Sequence, residues 1–393
     1  MAAPTPYFVD PLAGVDFATG GTTLLDPYLT VQFCIDDITT SHGGRDAVNG
    51  DQINVKSDQE PGVTTTTDDV TLAVIDLATV GAVYGAPAVD APLIFRGYSY
   101  VANDGGIGGM DGNAGAWSIY DGNAGATDYV HFIHMHLHNT AGATIASLRN
   151  WSTVIGSELD TATVRAMFGG TYSLVANCHI HDVGGHAIEI STSATAVGNY
   201  IESGGLACVF TQGVNCVVER NILIATAVGT AGVIISADLP QIVGNSILST
   251  GLSVDAGIRF DAVAHHSARI TGNLIEGFSG GAGIDFFNQT NHVNLYANNS
   301  FYDNETDELQ RGDFNYDEDN DLIMAASPFL KVGAMTYANR YGYFAPAIPV
   351  RGRAFPNGCQ FDRGAAQVRL VTERTVAERC IITIPERIAY DPI

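Results

Sequence analysis

Short runs of apolar residues alternate with polar residues along most of the chain, and these runs recur at a regular spacing. A small polar residue follows each run, and these anchor positions are Asn177, Asn199, Asn221, Asn245, Asn273 and Asn298. The anchors lie 22, 22, 24, 28 and 25 residues apart, and His134 and Gly156 continue the series towards the N-terminus. Apolar–polar alternation is typical of β-strands, and the 3.6-residue period of a helix is nearly absent here. The pattern therefore predicts repeated short strands.

A second apolar segment follows most anchors after a Gly-rich turn. These segments cover residues 186–191, 206–211, 231–236, 256–261 and 282–287. One such repeat cannot bury its own apolar side, so successive repeats must stack and share a continuous core. We therefore predict an all-β fold, a right-handed parallel β-helix of about ten coils. Asn tolerates left-handed backbone at tight corners, and its amide can bond the next coil, so the anchors predict an asparagine ladder.

The pattern also divides the chain into three predicted regions. Residues 1–50 form an N-terminal strand and capping segment, and residues 51–345 form the β-helix. Residues 346–393 are predicted to form a C-terminal β appendix for docking or oligomerisation. The charge supports this last boundary, because residues 340–393 carry 8 arginines against 5 acidic residues in an otherwise acidic chain.

Several segments resemble the pectate-lyase-like superfamily of right-handed parallel β-helices. They are "YFVDPLAGVDFATGGTTLLDPYLTVQFCIDDI" (7–38), "GDQINVKS" (50–57), "APLIFRGYSY" (91–100) and "GDFNYDEDNDLIMAASPFLKVG" (312–333). The resemblance implies a short capping helix near the end of the first segment, a first coil strand in the second and a closing segment in the last. It covers residues 7–345 and indicates the fold alone, because this fold hosts lyases, hydrolases, epimerases, adhesins and viral spikes.

Three consecutive anchor strands carry a concentration of histidines and carboxylates. Aligning "HMHLHN" (134–139), "GSELDT" (156–161) and "NCHIHD" (177–182) places apolar or small residues on the core side. Alternation then turns two neighbouring rows outward: His136, Glu158 and His179, and beside them His138, Asp160 and His181. Asp182 and His186 follow in the Gly-rich turn directly after the third of these strands.

Three interpretations of these rows stay open. The first is a catalytic face, with Glu158, Asp160, His179 and His181 as the catalytic residues and His136, His138, Asp182 and His186 as substrate-binding residues. The second is a transition-metal site, because imidazole and carboxylate are ligands that Zn²⁺ prefers. The third is a set of cross-strand pairs that only hold adjacent coils in register.

A separate acidic string, residues 313–321, offers oxygen ligands at alternate positions: Asp313, Asn315, Asp317, Asp319 and Asp321. It is a candidate for Ca²⁺ or another divalent metal, although it lacks the central Gly and final Glu of an EF-hand. The signatures of the family's enzymes are absent. No acidic calcium cluster joins a catalytic Arg or Lys, and Lys56 and Lys331 are the chain's only lysines.

Composition narrows the classes of partner. The chain has 46% hydrophobic residues, 15% charged residues and a net charge of −24. So acidic a chain is not expected to bind nucleic acid or an anionic membrane surface, which need a basic face. The sequence contains no apolar run of about 18 residues, so it predicts no membrane-spanning helix. The six cysteines form no CxxC pair and are predicted to be buried free thiols.

The start "MAAPTPYFVDP" has neither the basic nor the apolar region of a classical signal peptide. β-Helices of this kind mostly work outside cells, and release by lysis reconciles the two observations. We therefore expect a structural virion protein of a bacteriophage, of the spike, fibre or head-decoration type, a homotrimer contacting other virion proteins and surface glycans. The alternative is a polysaccharide lyase or glycoside hydrolase acting on an acidic polysaccharide. A third option is a carbohydrate-binding protein without catalysis.

Overall fold

The protein is almost entirely β-structure, as a computed structural model shows. The structure describes residues 6–11, 13–15, 21–40, 51–56, 70–71, 92–115, 119–121, 128–141, 144–250, 255–261, 268–286, 293–297, 299–309, 322–323, 336–339 and 343–345. The acidic string with Asp313, Asn315, Asp317, Asp319 and Asp321 lies outside the described residues, as do residues 346–393. The calcium hypothesis, the C-terminal appendix and the region boundaries therefore stay predictions.

The described elements follow one another in chain order. The first half contains β1 (Pro6–Val9), α1 (Val31–Thr40), β2 (Gln52–Lys56), β3 (Val70–Thr71), β4 (Leu93–Tyr98), β5 (Gly108–Gly115), β6 (Tyr120–Asp121), β7 (Val130–Ile133), β8 (Met135–Thr140), β9 (Thr144–Ser147), β10 (Thr153–Ile155), β11 (Glu158–Ala162), β12 (Arg165–Gly169), β13 (Leu174–Ala176), β14 (His179–Val183), β15 (His186–Ile190) and β16 (Thr195–Val197). The second half contains β17 (Tyr200–Ser203), β18 (Ala207–Thr211), β19 (Val217–Glu219), β20 (Ile222–Ala225), β21 (Ala231–Ile235), β22 (Gln241–Val243), β23 (Ser246–Ser249), β24 (Ile258–Phe260), β25 (Ala268–Thr271), β26 (Leu274–Glu276), β27 (Ala282–Asp285), β28 (Val293–Ala297), β29 (Ser300–Tyr302), β30 (Thr306–Leu309), β31 (Leu322–Ile323), β32 (Thr336–Asn339) and β33 (Tyr343–Ala345).

Three parallel sheets form the walls of a β-solenoid. Among the described strands, the first sheet has the order β1-β2-β4-β7-β10-β13-β16-β19-β22-β25-β28, and the second has the order β3-β5-β8-β11-β14-β17-β20-β23-β26-β29-β31. The third sheet has the order β30-β27-β24-β21-β18-β15-β12-β9-β6, and β32 pairs with β33 as an antiparallel hairpin. Neighbours in each large sheet are about one coil apart in sequence, which is the arrangement that the repeat predicted.

The solenoid has about seven turns, slightly fewer than the ten that the sequence predicts. The short period holds from β7 onward, but earlier strands of the first sheet are farther apart. β4 begins 41 residues after β2, and β7 begins 37 residues after β4. The first coils therefore contain more residues than the later ones.

The core runs along the solenoid axis and is filled by the inward side chains of all three sheets. In the second sheet Leu137, Leu159 and Ile180 are fully buried on successive turns. Phe95 and Phe132 stack in the same way in the first sheet, with ring centroids 5.0 Å apart. Each buried Leu, Ile or Phe contributes roughly 1.5–3 kcal/mol relative to its exposed state, so the stacked rows are the main stabilising term.

An asparagine ladder holds the corner between the first and second sheets. Asn199, Asn221, Asn245, Asn273 and Asn299 are fully buried, and each Nδ2 donates to Oδ1 of the next at 2.9–3.1 Å. Each Oδ1 after the first also accepts the backbone N–H of the preceding ladder residue. The ladder that the repeat predicted is thus confirmed for four of its six anchors.

The first and last anchors need correction. Asn177 lies one residue before the ladder position, which Cys178 occupies, and Asn299 rather than Asn298 holds the last described place. The left-handed residue of each corner is the one before the ladder, as at Asn177, Gly198 and Arg220. The ladder positions therefore require asparagine for the hydrogen bonds of its side-chain amide. The left-handed backbone, which Asn also tolerates, belongs to the preceding residue.

A single helix among the described residues, α1, caps the N-terminal end of the solenoid. Thr30 begins it, since its Oγ1 accepts the backbone N–H of Phe33 at 3.2 Å. Val31, Cys34 and Ile35 of this helix are buried in the core cluster. The short capping helix implied by the family resemblance is therefore present. No helix among the described residues is long and apolar enough to cross a membrane.

Four of the six cysteines fall in the described residues. They are Cys34, Cys178, Cys208 and Cys216, and all four are buried free thiols, as predicted. Cys359 and Cys380 lie outside the described residues.

Candidate functional site

The register of three strands brings the predicted histidines and carboxylates together. β8, β11 and β14 are consecutive in the second sheet. Glu158 lies opposite His136 on one side and His179 on the other, and Asp160 lies opposite His138 and His181. The two rows predicted from alternation are therefore confirmed. We call these six residues the His–carboxylate grid.

The grid faces outward because the residues between its members face the core. Leu137, Leu159 and Ile180 occupy the intervening positions and are fully buried. The grid side chains nonetheless shield one another. The exposed fraction of the side chain is 12% for His136 and Asp160, 13% for Glu158, 18% for His179 and 23% for His181, and His138 is buried. The site is thus shallow and reachable from solvent, but its charges are partly desolvated.

One half of the grid is centred on Asp160. Its Oδ2 lies 2.8 Å from Nε2 of His136, and its Oδ1 accepts the hydroxyl of Thr161 at 2.6 Å. The rings of His136 and His138 stack with centroids 4.4 Å apart. The ligating atoms of His136, His138 and Asp160 all lie within 4.8 Å of one another.

The other half is centred on Glu158. Its Oε1 lies 3.2 Å from Nε2 of His181 and 3.6 Å from Nδ1 of His179, and each of the three residues offers a ligating atom within 4.8 Å of those of the other two. Nδ1 of His181 lies 2.7 Å from the carboxylate of Asp182. The halves are joined because Nε2 of His181 is 3.7 Å from Oδ2 of Asp160.

Mutual contacts set the protonation of the grid. Burial raises the pKa of Glu158, but hydrogen bonds from His179 and His181 outweigh burial and hold this pKa well below its usual range. Burial likewise raises the pKa of Asp160, and the hydrogen bond and charge of His136 reverse the effect and lower it. Burial lowers the pKa of His181, yet its bonds to Glu158 and Asp182 raise it to about 9. Near neutral pH both carboxylates are ionised and His181 is an imidazolium.

A backbone irregularity borders the grid. Asn139, Thr161 and Asp182 directly follow the grid on its three turns, and they have left-handed φ values of 64°, 54° and 53°. The register shifts between β14 and β17, because the two residues His181 and Asp182 of β14 face the single residue Glu202 of β17. β14 therefore has one more residue than β17 at this position, which is a β-bulge. Bulges of this kind concentrate beside active sites, where they redirect side chains. A β-branched residue with positive φ, such as Thr161, is rare.

An open groove adjoins this irregular edge. It has a volume of about 410 Å³ and is lined by Asn139, Thr140, Ala141, Thr161, Ala162, Thr163, Asp182 and Gly184. Of the lining residues only Asp182 was predicted as part of the site. Thr161 and Thr163 belong to no recognisable sequence motif. Only their position directly after the grid residues of β11 could have indicated that they line the site.

The remaining predicted site residue, His186, lies elsewhere. It belongs to β15 of the third sheet, where it stacks on Phe210 with ring centroids 4.6 Å apart. Burial and the charges of Arg165 and Arg259 lower its pKa. The structure does not bring His186 into either half of the grid, because the chain turns a corner between Asp182 and His186.

Comparison with known proteins establishes likeness of fold. No protein-family model matches the chain, and no curated protein matches it. In structure it is similar to XylC, solved in complex with xylose, at 10% identity and a TM-score of 0.52, covering 76% of this chain and 75% of that one.

Two lyases are also similar in structure. One is pectate lyase Pel9A, at 11% identity and a TM-score of 0.48, covering 85% of this chain and 84% of that one. The other is a mannuronic-acid-specific family 6 polysaccharide lyase from human gut microbiota, at 13% identity and a TM-score of 0.41, covering 65% of this chain and 59% of that one. The β-helix fold implied by the family resemblance is confirmed.

Proposed function

We propose that this protein cleaves glycosidic bonds in an acidic polysaccharide, with the His–carboxylate grid as its reactive site. The observation that carries the proposal is the convergence of two ionised carboxylates with four imidazoles on one outward face. The alternative drawn from the sequence thus becomes the main proposal.

The chemistry of the grid supports bond cleavage. Breaking a glycosidic bond requires a group that gives a proton to the leaving oxygen and a second group that acts as base or nucleophile. The grid supplies both kinds of group as imidazole–carboxylate pairs, His136 with Asp160 at 2.8 Å and His181 with Glu158 at 3.2 Å. We assign catalysis to Glu158, Asp160, His179 and His181, while His136 contacts substrate and orients Asp160, and the buried His138 stacks on the ring of His136.

The shape of the surface supports a polymeric substrate. The grid lies on an open sheet face, so an internal sugar of a long chain can reach it. The adjoining groove offers hydroxyls of Thr161 and Thr163 and the carboxylate of Asp182 to sugar hydroxyls. Four imidazoles give an otherwise acidic chain a face that can accept uronate carboxylates.

The strained backbone beside the grid supports a functional rather than a purely structural role. Left-handed non-glycine residues also occur at other corners, as at Trp151 and Tyr172, but among the described residues Thr161 is the β-branched one, and its hydroxyl bonds Asp160 of the grid. Such strain costs on the order of 1–3 kcal/mol and persists where function requires a particular side-chain placement. XylC, which is similar to this chain in fold, was solved in complex with a sugar, xylose.

The bacteriophage hypothesis has no comparable support. Among the described residues, no feature favours a spike, fibre or decoration protein over an enzyme. The homotrimer, the contact with virion proteins and the extracellular location after lysis therefore stay predictions.

The test uses the purified full chain on a panel of uronic-acid-rich polysaccharides, with neutral polysaccharides for comparison. New reducing ends report any cleavage, and ultraviolet absorbance of unsaturated uronates separates elimination from hydrolysis. We expect cleavage of an acidic polysaccharide, and we expect Glu158→Gln and Asp160→Asn to lower its rate about 100-fold or more.

The matched control is Glu219→Gln on the first sheet, which makes the same chemical change away from the grid. It should keep the wild-type rate. Absence of turnover on the whole panel, or full activity in both grid variants, contradicts the proposal. Glycan binding without turnover favours the carbohydrate-binding alternative instead.

A further inference from the structure

The ligating atoms of Glu158, His179 and His181 are placed as the ligands of a small cation. We propose that these three residues bind one first-row transition-metal ion of the Zn²⁺ class. This inference goes beyond the proposed glycosidic activity and does not depend on it, because metal binding is measurable in the absence of any polysaccharide.

The distances between the ligating atoms fit a tetrahedral ion. Zn²⁺ binds imidazole nitrogen at about 2.0–2.1 Å and carboxylate oxygen at about 2.0–2.2 Å, so two ligands of a tetrahedron lie roughly 3.3–3.5 Å apart. Glu158 Oε1 is 3.2 Å from His181 Nε2 and 3.6 Å from His179 Nδ1. An ion can therefore enter between these atoms with small side-chain adjustments.

The strands pre-organise the two imidazoles. His179 and His181 are two residues apart on β14, so both project from the same face, and their ring centroids are 4.5 Å apart. Glu158 lies directly opposite His179 on the neighbouring strand. A parallel sheet with a packed core thus holds all three ligands, and little conformational entropy is lost when the ion binds.

An outer carboxylate orients one ligand. Nδ1 of His181 donates to Asp182 at 2.7 Å, which leaves Nε2 of the same ring facing Glu158. Metal-binding histidines usually donate their second ring nitrogen to a carboxylate, which fixes the tautomer and strengthens the ligand. Binding of the ion at Nε2 requires that this nitrogen carries no proton.

The ligand set selects the kind of ion. Two imidazoles and one carboxylate suit Zn²⁺ and its first-row neighbours, whereas Ca²⁺ requires six to eight oxygen ligands. Three protein ligands leave a further position open on the solvent side, the pattern of catalytic rather than structural zinc. Asp160 Oδ2, 3.7 Å from His181 Nε2, borders that position.

The other half of the grid is the weaker candidate. Asp160 Oδ2 is already hydrogen bonded to His136 at 2.8 Å, and its Oδ1 accepts the hydroxyl of Thr161. His136 belongs to this same half, and its 2.8 Å contact with Asp160 is shorter than the roughly 3.3–3.5 Å between two ligands of one tetrahedral ion, whereas the contacts of Glu158 at 3.2 and 3.6 Å bracket that separation. We therefore infer one ion per chain, bound by the half centred on Glu158.

The experiment titrates the chelator-treated full chain with Zn²⁺ by calorimetry and with Co²⁺ by visible absorption, which reports the coordination geometry. We expect saturable binding of one ion per chain, tetrahedral or five-coordinate Co²⁺ bands and no comparable binding of Ca²⁺. Glu158→Gln and His181→Gln should each weaken Zn²⁺ binding at least ~100-fold. The control Glu219→Gln and the comparison variant His136→Gln should stay within about threefold of wild type.

Circular dichroism and thermal unfolding show whether each variant is folded, and His179→Gln replaces any variant that is not. The inference is wrong if no saturable Zn²⁺ binding occurs, if binding survives both ligand substitutions, or if it is lost with His136→Gln instead. A protein that binds Zn²⁺ but cleaves no polysaccharide would leave this inference standing and contradict the proposed activity. Cleavage unaffected by chelation, without Zn²⁺ binding, would do the reverse.

Discussion

Asp182 accepts a hydrogen bond from Nδ1 of His181 at 2.7 Å, although the two residues are adjacent in the chain. Adjacent residues in a regular strand point to opposite faces. The contact is possible because Asp182 has a left-handed backbone, which returns its carboxylate to the grid side. The irregular edge of the grid therefore has a direct chemical consequence, namely the orientation of His181.

The first prediction concerns this carboxylate. Asp182→Asn preserves size but removes the charge that holds the Nδ1 proton of His181, so Nε2 becomes a weaker metal ligand. We expect the Zn²⁺ dissociation constant to rise roughly 10–100-fold, measured by calorimetry. Unchanged affinity would mean that Asp182 is a solvated surface residue without influence on the ring.

The second prediction concerns backbone strain at Thr161. Its φ of 54° is unfavourable for a β-branched residue, whereas Asn tolerates this conformation. Thr161→Asn should raise the free energy of unfolding by up to about 1 kcal/mol, measured by urea denaturation. It should also lower polysaccharide cleavage, because the hydroxyl bond to Asp160 is lost.

Thr163→Asn provides the matched comparison for Thr161, since Thr163 is exposed, lines the same groove and is not left-handed. It should not stabilise the protein. A loss of stability in Thr161→Asn would show that the threonine is not strained in the way its φ implies.

The third prediction concerns the asparagine ladder. The Nδ2 of Asn221 donates to the carbonyl of Ala196 and to Asn245, and its Oδ1 accepts from the backbone and side chain of Asn199. Asn221→Ala leaves several buried polar groups without partners and opens a small cavity. We expect a loss of ~3 kcal/mol or more in the free energy of unfolding.

Asn150→Ala, at a half-exposed asparagine outside the ladder, serves as the control and should change the free energy of unfolding by less than ~0.5 kcal/mol. Equal effects at the two positions would refute a structural role for the ladder amides.

The fourth prediction concerns pH and the ion pair between Arg165 and Glu189. Burial raises the pKa of Glu189, and Arg165, whose Nη1 is 2.5 Å from Oε2, opposes that rise. Arg165→Gln removes the opposition and raises the pKa of Glu189 further. When the pKa of a carboxyl is higher in the folded protein than in the unfolded chain, the free energy of unfolding falls as the pH rises above the pKa of the unfolded chain.

The variant should therefore lose ~2 kcal/mol relative to wild type at about pH 7 and less at about pH 4, measured by urea denaturation. Arg165 also lowers the pKa of the neighbouring His186, so the comparison includes Arg165→Gln/Glu189→Gln. This double variant should regain most of the loss at the higher pH. A deficit independent of pH would assign the effect to packing of the arginine side chain.

Much of the site followed from the sequence because two periods determine it. Alternation within a strand decides which side chains face out, and the coil repeat decides which strands are neighbours. Together they placed Glu158 between His136 and His179, and Asp160 between His138 and His181, as the register has them. His186 was grouped with the grid because it lies close to Asp182 in the chain, but it begins the strand after the Gly-rich turn, which belongs to the third sheet.

The sequence by itself determined the parallel β-solenoid, its buried thiols, most of its asparagine ladder and the six residues of the grid, because these depend on regular periods. Only the tertiary structure decided the number of turns, the one-residue offset of Asn177, and which imidazole contacts which carboxylate. It also decided that Asn139, Thr161 and Asp182 are left-handed and that Asp182 orients His181. Side-chain rotamers and corner conformations depend on packing against neighbouring turns, and residues more than twenty positions apart in the chain supply that packing.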